Sequence, residues 1–493
     1  MFIELRKWKK KPIHLYFLAV IGLSMNVAAK DEIEIEGLPV QMAWGDVDGQ
    51  GHLDLIALMI QSQTEGVVDT YFENGRLRGV YEDETFKEKF LHTWTHQDGA
   101  WREAVKVPLG REPVLGFAIE AGRLMLWYGK GLTIYTWENK QWRVNKQIPT
   151  PGLLAHLPVS MDAFPFWQRS GAQSFWLVPD LEGVHLIEVS QPDARRFLAY
   201  PETARQRMSR EGQKHIIEIA MPEFLDVNGD GDEELVFKGQ SYATSWSIVR
   251  NESPMTAKAP GVLIDIDGDG LADRLELEEP DVDRPRDLPK VKTGVRTYFA
   301  TAPLTFPEEP DLDQQVPGFL LTGGDDVDME FPDPFIDING DGRPDAAGLA
   351  IKFNLFQAIK AVATKRMSMK FLLQLSLQTE RGRYETLAGG PFVMTWRINL
   401  RRLRMPAFAQ MTADFDGDGW IDVLMEKRRN IEITPVNRQG FQNHRVWKVK
   451  IPKSVSDPDQ VFGKDLKLDG KAELILMKIQ RGKTRLAILE AKP

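Results

Sequence analysis

A nine-residue motif rich in aspartate and glycine occurs five times in the sequence, beginning at Asp46, Asp226, Asp265, Asp337 and Asp414. Motif positions 1, 3, 5 and 9 carry mostly Asp or Asn, and positions 4 and 6 are always Gly. Oxygens at this spacing converge on one cation when the backbone curls tightly, which glycine permits at low cost. Ca²⁺ prefers six to eight hard oxygen ligands at about 2.3–2.6 Å. The motif therefore predicts five calcium-binding loops.

The predicted ligands are the side chains at positions 1, 3, 5 and 9 and the backbone carbonyl at position 7, where the side chain is free to vary. They are Asp46, Asp48, Gln50, His52 and Asp54 in loop 1; Asp226, Asn228, Asp230, Asp232 and Glu234 in loop 2; Asp265, Asp267, Asp269, Leu271 and Asp273 in loop 3; Asp337, Asn339, Asp341, Arg343 and Asp345 in loop 4; and Asp414, Asp416, Asp418, Trp420 and Asp422 in loop 5. The alternative is a set of ordinary turns, which also favour Asp, Asn and Gly. A turn needs no carboxylate at position 9, which favours the metal site.

A sixth, weaker copy runs from Asp465 to Glu473 (loop 6). Lys467 stands at position 3, where its ammonium would repel a divalent ion. Leu468 replaces the glycine of position 4. We expect loop 6 to keep the turn and to have lost the metal.

The segments around the loops predict strands, not the helices of an EF-hand. An EF-hand also needs a bidentate Glu at position 12, which only loop 3 has, as Glu276. The flanks are short apolar runs such as 53–59 and 421–425, several of them preceded by Pro. Such runs are typical of buried strands. Each loop is therefore predicted to be a hairpin connection.

Strand, Asp/Gly loop and strand in repetition resemble the FG-GAP or VCBS repeat family, which includes the β-propeller of integrin alpha subunits. The resemblance implies a bacterial secreted, all-β propeller with calcium between the first two strands of a blade. The recurring Phe-Gly and Gly-Ala-Pro motifs of integrins are not evident. Between Asp46 and Asp226, apolar runs indicate further blades without a loop.

We predict seven or eight blades, seven being the habit of the family, in a single domain over residues 30–493. The expected blades lie near 40–107, 112–147, 150–195, 216–250, 260–320, 330–405, 408–450 and 455–490. The run 32–36 is expected to close the ring by pairing with the last blade near Arg485, which would remove open sheet edges. Residues 353–366 show helical spacing and predict a short helical insertion.

Residues 1–29 resemble a secretory signal peptide, with a basic start, a short apolar stretch and small residues before position 30. The sequence contains no Cys, which fits a bacterial exported protein without disulfides. We expect a periplasmic or secreted protein, with no stable membrane span after cleavage, and a monomer. The net charge of −9 resides largely in the predicted calcium ligands and excludes the basic footprint that nucleic acid requires.

No catalytic motif stands out, and we expect the protein not to be an enzyme. His92 and His96 lie in a predicted strand, where they are expected to be surface residues. The basic stretch 397–404 is expected to be a solvated strand face, although it could meet an anionic glycan. The sequence favours a non-catalytic binding, adhesion or scaffold protein whose partner is an envelope or extracellular protein or a glycan. The alternative is a polysaccharide-active enzyme or lectin-like accessory protein that uses the axial face.

Overall fold

The computed structural model of the chain describes residues 31–61, 69–73, 76–80, 88–97, 100–112, 114–120, 122–151, 166–180, 182–201, 208–211, 214–217, 222–238, 242–278, 280, 282, 284, 286–320, 334–352, 366–399, 409–427 and 429–491. Their regular structure is β, apart from two short 3₁₀ helices at Leu288–Lys290 and Lys453–Val455. The all-β prediction is confirmed. The predicted signal peptide lies outside the described residues. So does the predicted helical insertion, except for Arg366, which begins a strand.

The strands form eight antiparallel blades in chain order, so the count is eight and not the family's habitual seven. The first strand, β1 (Asp31–Glu36), belongs to the last blade. Blade 1 contains β2 (Leu38–Gly45), β3 (Asp54–Ile60), β6 (Lys89–Gln97) and β7 (Ala100–Gly110), with the hairpin β4 (Asp69–Glu73) and β5 (Arg76–Val80) paired to the free edge of β2. Blade 2 contains β8 (Val114–Glu120), β9 (Arg123–Tyr128), β10 (Gly131–Glu138) and β11 (Gln141–Pro149). Blade 3 contains β12 (Trp167–Ser170), β13 (Gln173–Pro179), β14 (Gly183–Glu188) and β15 (Arg195–Ala199).

The hairpin β16 (Met208–Glu211) and β17 (Lys214–Ile217) precedes blade 4. Blade 4 contains β18 (Glu223–Leu225), β19 (Glu234–Lys238), β20 (Tyr242–Trp246) and β21 (Met255–Lys258). Blade 5 contains β22 (Val262–Ile264), β23 (Asp273–Glu278), β24 (Lys292–Tyr298) and β25 (Leu312–Pro317). Blade 6 contains β26 (Phe335–Ile336), β27 (Asp345–Lys352), β28 (Arg366–Glu380), β29 (Arg383–Thr386) and β30 (Phe392–Asn399). Both β29 and β30 pair with the long strand β28.

Blade 7 contains β31 (Gln410–Ala413), β32 (Asp422–Lys427), β33 (Asn430–Thr434) and β36 (Trp447–Lys450), with the small hairpin β34 (Val436–Asn437) and β35 (Gly440–Phe441) between the last two. Blade 8 contains β37 (Gln460–Lys464), β38 (Glu473–Gln480) and β39 (Lys483–Glu490). Its fourth strand is β1, which pairs with β39 in the register Glu34 to Arg485. The predicted closure of the ring by the run 32–36 is confirmed. Both termini of the described chain therefore meet in one sheet.

Apolar clusters fill the seams between neighbouring blades all the way round the ring. The second strands supply much of this core, since a strand covered on both faces reads as a continuous apolar run. All seven residues of β3 are buried, whereas β11 at the edge of blade 2 is mostly exposed, with two of its nine residues buried. Trp127 and Trp176 meet edge to face across the seam of blades 2 and 3, with ring centroids 5.9 Å apart. These contacts hold the blades as one rigid body.

No helix in the described part of the chain is long and apolar enough to cross a membrane.

Candidate functional site: an arc of Asp/Gly loops

The six loops occupy six consecutive blades of the ring. Loops 2 to 6 join the first and second strands of blades 4 to 8, and loop 1 does the same in blade 1, which follows blade 8 in the closed ring. The prediction that each loop is a hairpin connection is confirmed. Because every loop leaves its blade between the same two strands, all six lie on one face of the propeller. They form a continuous arc.

Within this arc, loops 4, 5, 6 and 1 are each hydrogen-bonded to the next. The position 8 N–H of one loop donates to the start of the preceding loop: Ile421 to Ile338 O at 2.8 Å, Ala472 to Asp414 O at 2.8 Å and Leu53 to Leu466 O at 2.7 Å. The arc is thus a connected structure and not a set of separate turns.

Loop 4 breaks this pattern because its position 8 is Pro344, which has no N–H. The side chain of Gln378 replaces it, with Nε2 donating to Ile266 O of loop 3 at 2.7 Å. Gln378 is buried, and its own backbone N–H donates to Asp345 Oδ1 at 2.7 Å. Proline at position 8 was the only sequence signal for this contact.

The carboxylate at position 1 organises each loop. One of its oxygens accepts the position 6 N–H at 2.8–3.0 Å in all six loops. The glycines at positions 4 and 6 have positive φ in loops 1 to 5, the left-handed conformation that glycine adopts most readily. The invariant Gly and Asp of the motif are therefore explained by the backbone of the loop.

The carboxylate at position 9 is the buried end of each loop. One oxygen accepts the position 2 N–H at 2.9–3.1 Å in every loop. The side chain is 0% exposed in Asp54, Asp273, Asp345 and Asp422. A carboxylate at position 9 therefore serves the turn itself, because it caps the loop backbone whether or not a metal is bound.

Burial makes these position 9 carboxylates hard to ionise. It raises the pKa of Asp54 and Asp345 to about 6, and the pKa of Glu234, Asp273 and Asp422 to about 7. Loss of hydration around the charged group is the largest cause in each case. Backbone N–H groups lower the pKa, and other carboxylates of the same loop raise it. A cation at the loop would favour the ionised form.

Three loops bring three potential ligand atoms within 4.8 Å of one another. The groups are Asp48, His52 and Asp54 in loop 1; Asp265, Asp267 and Asp269 in loop 3; and Asp414, Asp416 and Asp422 in loop 5. In loop 5, the buried Oδ1 of Asp416 accepts no hydrogen bond from the described residues. The carboxylate oxygens of loops 3 and 5 fit the ligand preference of Ca²⁺.

Loops 2 and 4 carry Asn at position 3, and its amide donates a hydrogen bond within the loop. Asn228 donates from Nδ2 to Glu234 Oε1 at 2.7 Å, and Asn339 donates from Nδ2 to Asp341 Oδ2 at 3.2 Å. Asp230 of loop 2 also pairs with the guanidinium of Arg250. Each amide thus engages one of the carboxylate oxygens that the motif assigns to a metal.

The side chains at position 7 lead away from the loop in most cases. Asp232 accepts a hydrogen bond from the hydroxyl of Ser170 on blade 3, and Trp420 packs on the apolar seam of blades 6 and 7. His52 differs, because its ring nitrogen joins the ligand cluster of loop 1. In loop 1, the side chain at position 7 is therefore placed where it could itself act as a ligand.

Loop 6 contains its own cation. The ammonium of Lys467 lies 2.8 Å from Glu473 Oε1 and 2.7 Å from Glu490 Oε1. Burial lowers the pKa of Lys467, but the bonds to these two carboxylates outweigh it and leave the pKa raised. At position 4, Leu468 holds a φ of 54°, where the other loops have Gly. The turn is kept, as predicted, and a lysine neutralises the position 9 carboxylate.

Arg381 forms an ion pair with loop 3 that the sequence did not predict. It lies in the turn between β28 and β29 of blade 6 and pairs with Asp267 of loop 3, with a further approach of 3.9 Å to Asp269 Oδ2. Its guanidinium also stacks over Phe299 at 4.1 Å. Because the two partners lie in different blades, no local pattern in the sequence reveals the pair.

Blades 2 and 3 carry none of the six loops and lie between the two ends of the arc. Instead of acidic loops, their tight turns are linked by an ion pair of 3.1 Å between Arg169 Nε and Glu120 Oε1. Trp167 Nε1 donates to the other oxygen of Glu120 at 3.3 Å. This sector of the face is therefore chemically distinct from the arc.

The two candidate histidines of β6 do not lie on the surface as expected. The strand itself is as predicted, but His92 is buried and its Nδ1 lies 2.6 Å from Glu103 Oε1. Burial, the largest cause, lowers the pKa of His92. His96 is half-buried and contacts the rings of His52 and Trp101. In the basic stretch 397–404, residues 397–399 end β30, and residues 400–404 lie outside the described part.

No protein-family profile matches the sequence, and no curated protein matches it. Among solved structures, the chain is similar to Sqt1 of Saccharomyces cerevisiae, with 11% identity, a TM-score of 0.39 and coverage of 95% of this chain and 99% of that one. Sqt1 of Chaetomium thermophilum gives 6% identity, a TM-score of 0.34 and coverage of 91% and 100%. A chain from the structure of the COPII outer coat vertex on membranes gives 10% identity and a TM-score of 0.30. The match covers 94% of this chain and 100% of that one. These likenesses bear on the fold alone.

Proposed function

We propose that the chain is an exported, calcium-stabilised β-propeller of the FG-GAP/VCBS type that acts as a non-catalytic binding or scaffold protein. The observation that carries the calcium proposal is the contrast between loop 6 and the other loops. Where position 3 is Lys467, its ammonium neutralises the buried Glu473. Where position 3 is Asp or Asn, the loop has no lysine at that position to neutralise the buried position 9 carboxylate.

The donor chemistry supports calcium at loops 2 to 5. Side chains at positions 1, 3, 5 and 9 offer hard oxygens, the ligands that Ca²⁺ prefers. Loops 3 and 5 already hold three such oxygens within 4.8 Å. Calcium bound there would neutralise clustered carboxylates and favour ionisation of Asp273 and Asp422.

Calcium titration calorimetry on chelator-treated protein tests this proposal, with two variants at the same loop position. Asp422→Asn removes a charged ligand of loop 5 and is expected to remove one calcium equivalent. Glu473→Gln changes the corresponding residue of loop 6 and is expected to remove none. Wild-type protein that binds no calcium at millimolar concentration contradicts the proposal.

The binding role rests on the architecture. The closed ring presents many loops on one face. Binding residues occur preferentially on loops that a rigid scaffold positions. Binding to a glycan array and recovery of partners from an envelope fraction, each with calcium and with chelator, test this role. Binding without turnover is the expected result. Depolymerisation of a bound glycan contradicts the non-catalytic role.

Export remains an expectation from residues 1–29. It is tested by N-terminal sequencing of the protein recovered from the periplasm and medium of an expressing cell. We expect the chain to begin at Lys30. Recovery of the intact Met1 terminus in the cytoplasm alone contradicts export.

A further inference from the structure

Loop 1 differs in composition from the other metal-type loops. Position 5 is Gln50, where loops 2 to 5 have Asp, and position 7 is His52. Among loops 1 to 5, loop 1 is thus the member with a neutral residue at position 5 and with an imidazole at position 7.

The structure gathers one atom each from Asp48, His52 and Asp54 within 4.8 Å. The Nδ1 of His52 lies 3.8 Å from Asp54 Oδ1. Both atoms are buried, and neither makes a well-formed hydrogen bond to the described residues. Asp54 is 0% exposed, so this unsatisfied oxygen lies in the interior and faces a potential ligand nitrogen.

Comparison with the other loops shows that this oxygen is unusual. The corresponding Oδ1 atoms of Asp273, Asp345 and Asp422 accept backbone N–H groups of the third strand or the turn after it, at 2.7, 2.7 and 3.0 Å. In loop 1, the equivalent N–H of His96 lowers the pKa of Asp54 less than the N–H of Val47 does, and Asp54 Oδ1 accepts no hydrogen bond from the described residues. Asp46 is engaged by the N–H groups of Gly49, Gln50 and Gly51.

A small cavity of about 30 Å³, room for one or two water molecules, lies beside the cluster, at the seam where blade 8 meets blade 1. His52, His96 and Trp101 line one side, and Lys467, Glu473 and Glu490 line the other. These last three residues are paired with one another. The cavity therefore leaves room for solvent ligands on the side of the cluster that the protein does not fill.

The imidazole nitrogen distinguishes the ligand set of loop 1 from that of a calcium site. Ca²⁺ takes oxygen ligands, whereas imidazole nitrogen suits zinc, copper, iron and nickel. We propose that loop 1 is a site for a divalent transition metal of the zinc type, bound by Asp48, His52 Nδ1 and Asp54 and open to solvent at the seam cavity. This inference does not depend on calcium binding at loops 2 to 5.

The test is titration of tag-free, chelator-stripped protein with Co²⁺, followed by visible absorption and by competition with Zn²⁺. We expect about one equivalent with ligand-field bands, displaced by zinc. His52→Gln should lower the affinity at least about tenfold. His185→Gln is the matched control, because His185 pairs with Asp180 at 3.1 Å on blade 3, away from the arc. It should bind Co²⁺ as wild type does.

Circular dichroism establishes that the variants fold, and Asp48→Asn, a change at a half-buried ligand, serves as a second test if His52→Gln does not fold. Calcium titration of His52→Gln is expected to show unchanged binding at loops 2 to 5, which separates this inference from the calcium proposal. Unchanged Co²⁺ affinity in both His52→Gln and Asp48→Asn overturns the inference. So does wild-type protein that binds neither Co²⁺ nor Zn²⁺.

Discussion

Lys467 Nζ and Glu473 Oε1 lie 2.8 Å apart, at positions 3 and 9 of loop 6. The ammonium thus stands at the motif position where the other five loops carry Asp or Asn. The same backbone pattern is kept, including the N–H of Leu466 on Glu473 at 3.0 Å. One chain therefore contains both an internally neutralised loop and loops that lack this lysine.

Lys467→Met should destabilise the fold, because it leaves the buried carboxylate of Glu473 without its cation. We expect a loss of about 1–3 kcal/mol in the free energy of unfolding, measured by urea denaturation. Lys448→Met is the control, because Lys448 is largely exposed and lies 3.8 Å from Glu432. Such a surface pair contributes less than about 1 kcal/mol. Equal losses in both variants contradict the role given to Lys467.

Lys467→Asp combined with Leu468→Gly should convert loop 6 into a calcium loop. The Asp supplies the missing ligand, and Gly relieves the positive φ at position 4. Calorimetry is expected to show one calcium equivalent more than wild type. Leu468→Gly alone keeps the lysine and should add none. An unchanged number of equivalents in the double variant counts against the motif as a sufficient site.

The metal-free fold should lose stability as pH rises. The position 9 carboxylates have folded-state pKa values of about 6 to 7, above their ordinary values of 3.8 for Asp and 4.5 for Glu. A raised pKa means that the folded state binds protons more tightly than the unfolded state. The stability that these carboxyl groups contribute to the metal-free fold is therefore fully present below about pH 4. It is lost as the pH rises through about 6 to 7.

Melting temperatures of the stripped protein between pH 4.5 and 7.5 check this dependence, with calcium-loaded protein as the control. Calcium favours the ionised carboxylates, so the loaded protein should lose less stability over the same range. Parallel curves for the two forms would count against metal-linked carboxylates.

Ile35→Ala should weaken the closure of the ring. Ile35 is buried in β1, where it packs in the seam of blades 8 and 1. The cavity left behind costs about 2–4 kcal/mol, measured by denaturation. Glu34→Ala is the neighbouring control, because Glu34 is half-exposed where it pairs with Lys483 and Arg485. If the two variants are equally stable, closure by β1 contributes little.

The sequence predicted the features that lie within a short stretch of chain. The nine-residue motif and its apolar flanks identified the loops and the strands on both sides, and the alternation in 32–36 identified the closing strand. These are local signals, because one residue type at each position satisfies a requirement of the backbone, as Gly51 and Asp46 do.

The contacts between blades could not be predicted in the same way. Arg381 reaches loop 3 from the next blade, and Gln378 replaces the N–H that Pro344 lacks. His92 was expected on the surface of its strand, but blade 1 buries it against Glu103. Such pairs depend on how separate blades and strands come together, which no spacing in the sequence records.

The most direct test of the account is the melting temperature of the wild-type protein with calcium and with chelator, at constant ionic strength and with magnesium as the control. If loops 2 to 5 bind calcium, several weak sites act together, and millimolar calcium should raise the melting temperature by at least about 5 °C. Magnesium, which demands tighter octahedral geometry, should have a smaller effect. Identical melting with calcium and with chelator would contradict the claim that these loops are structural metal sites.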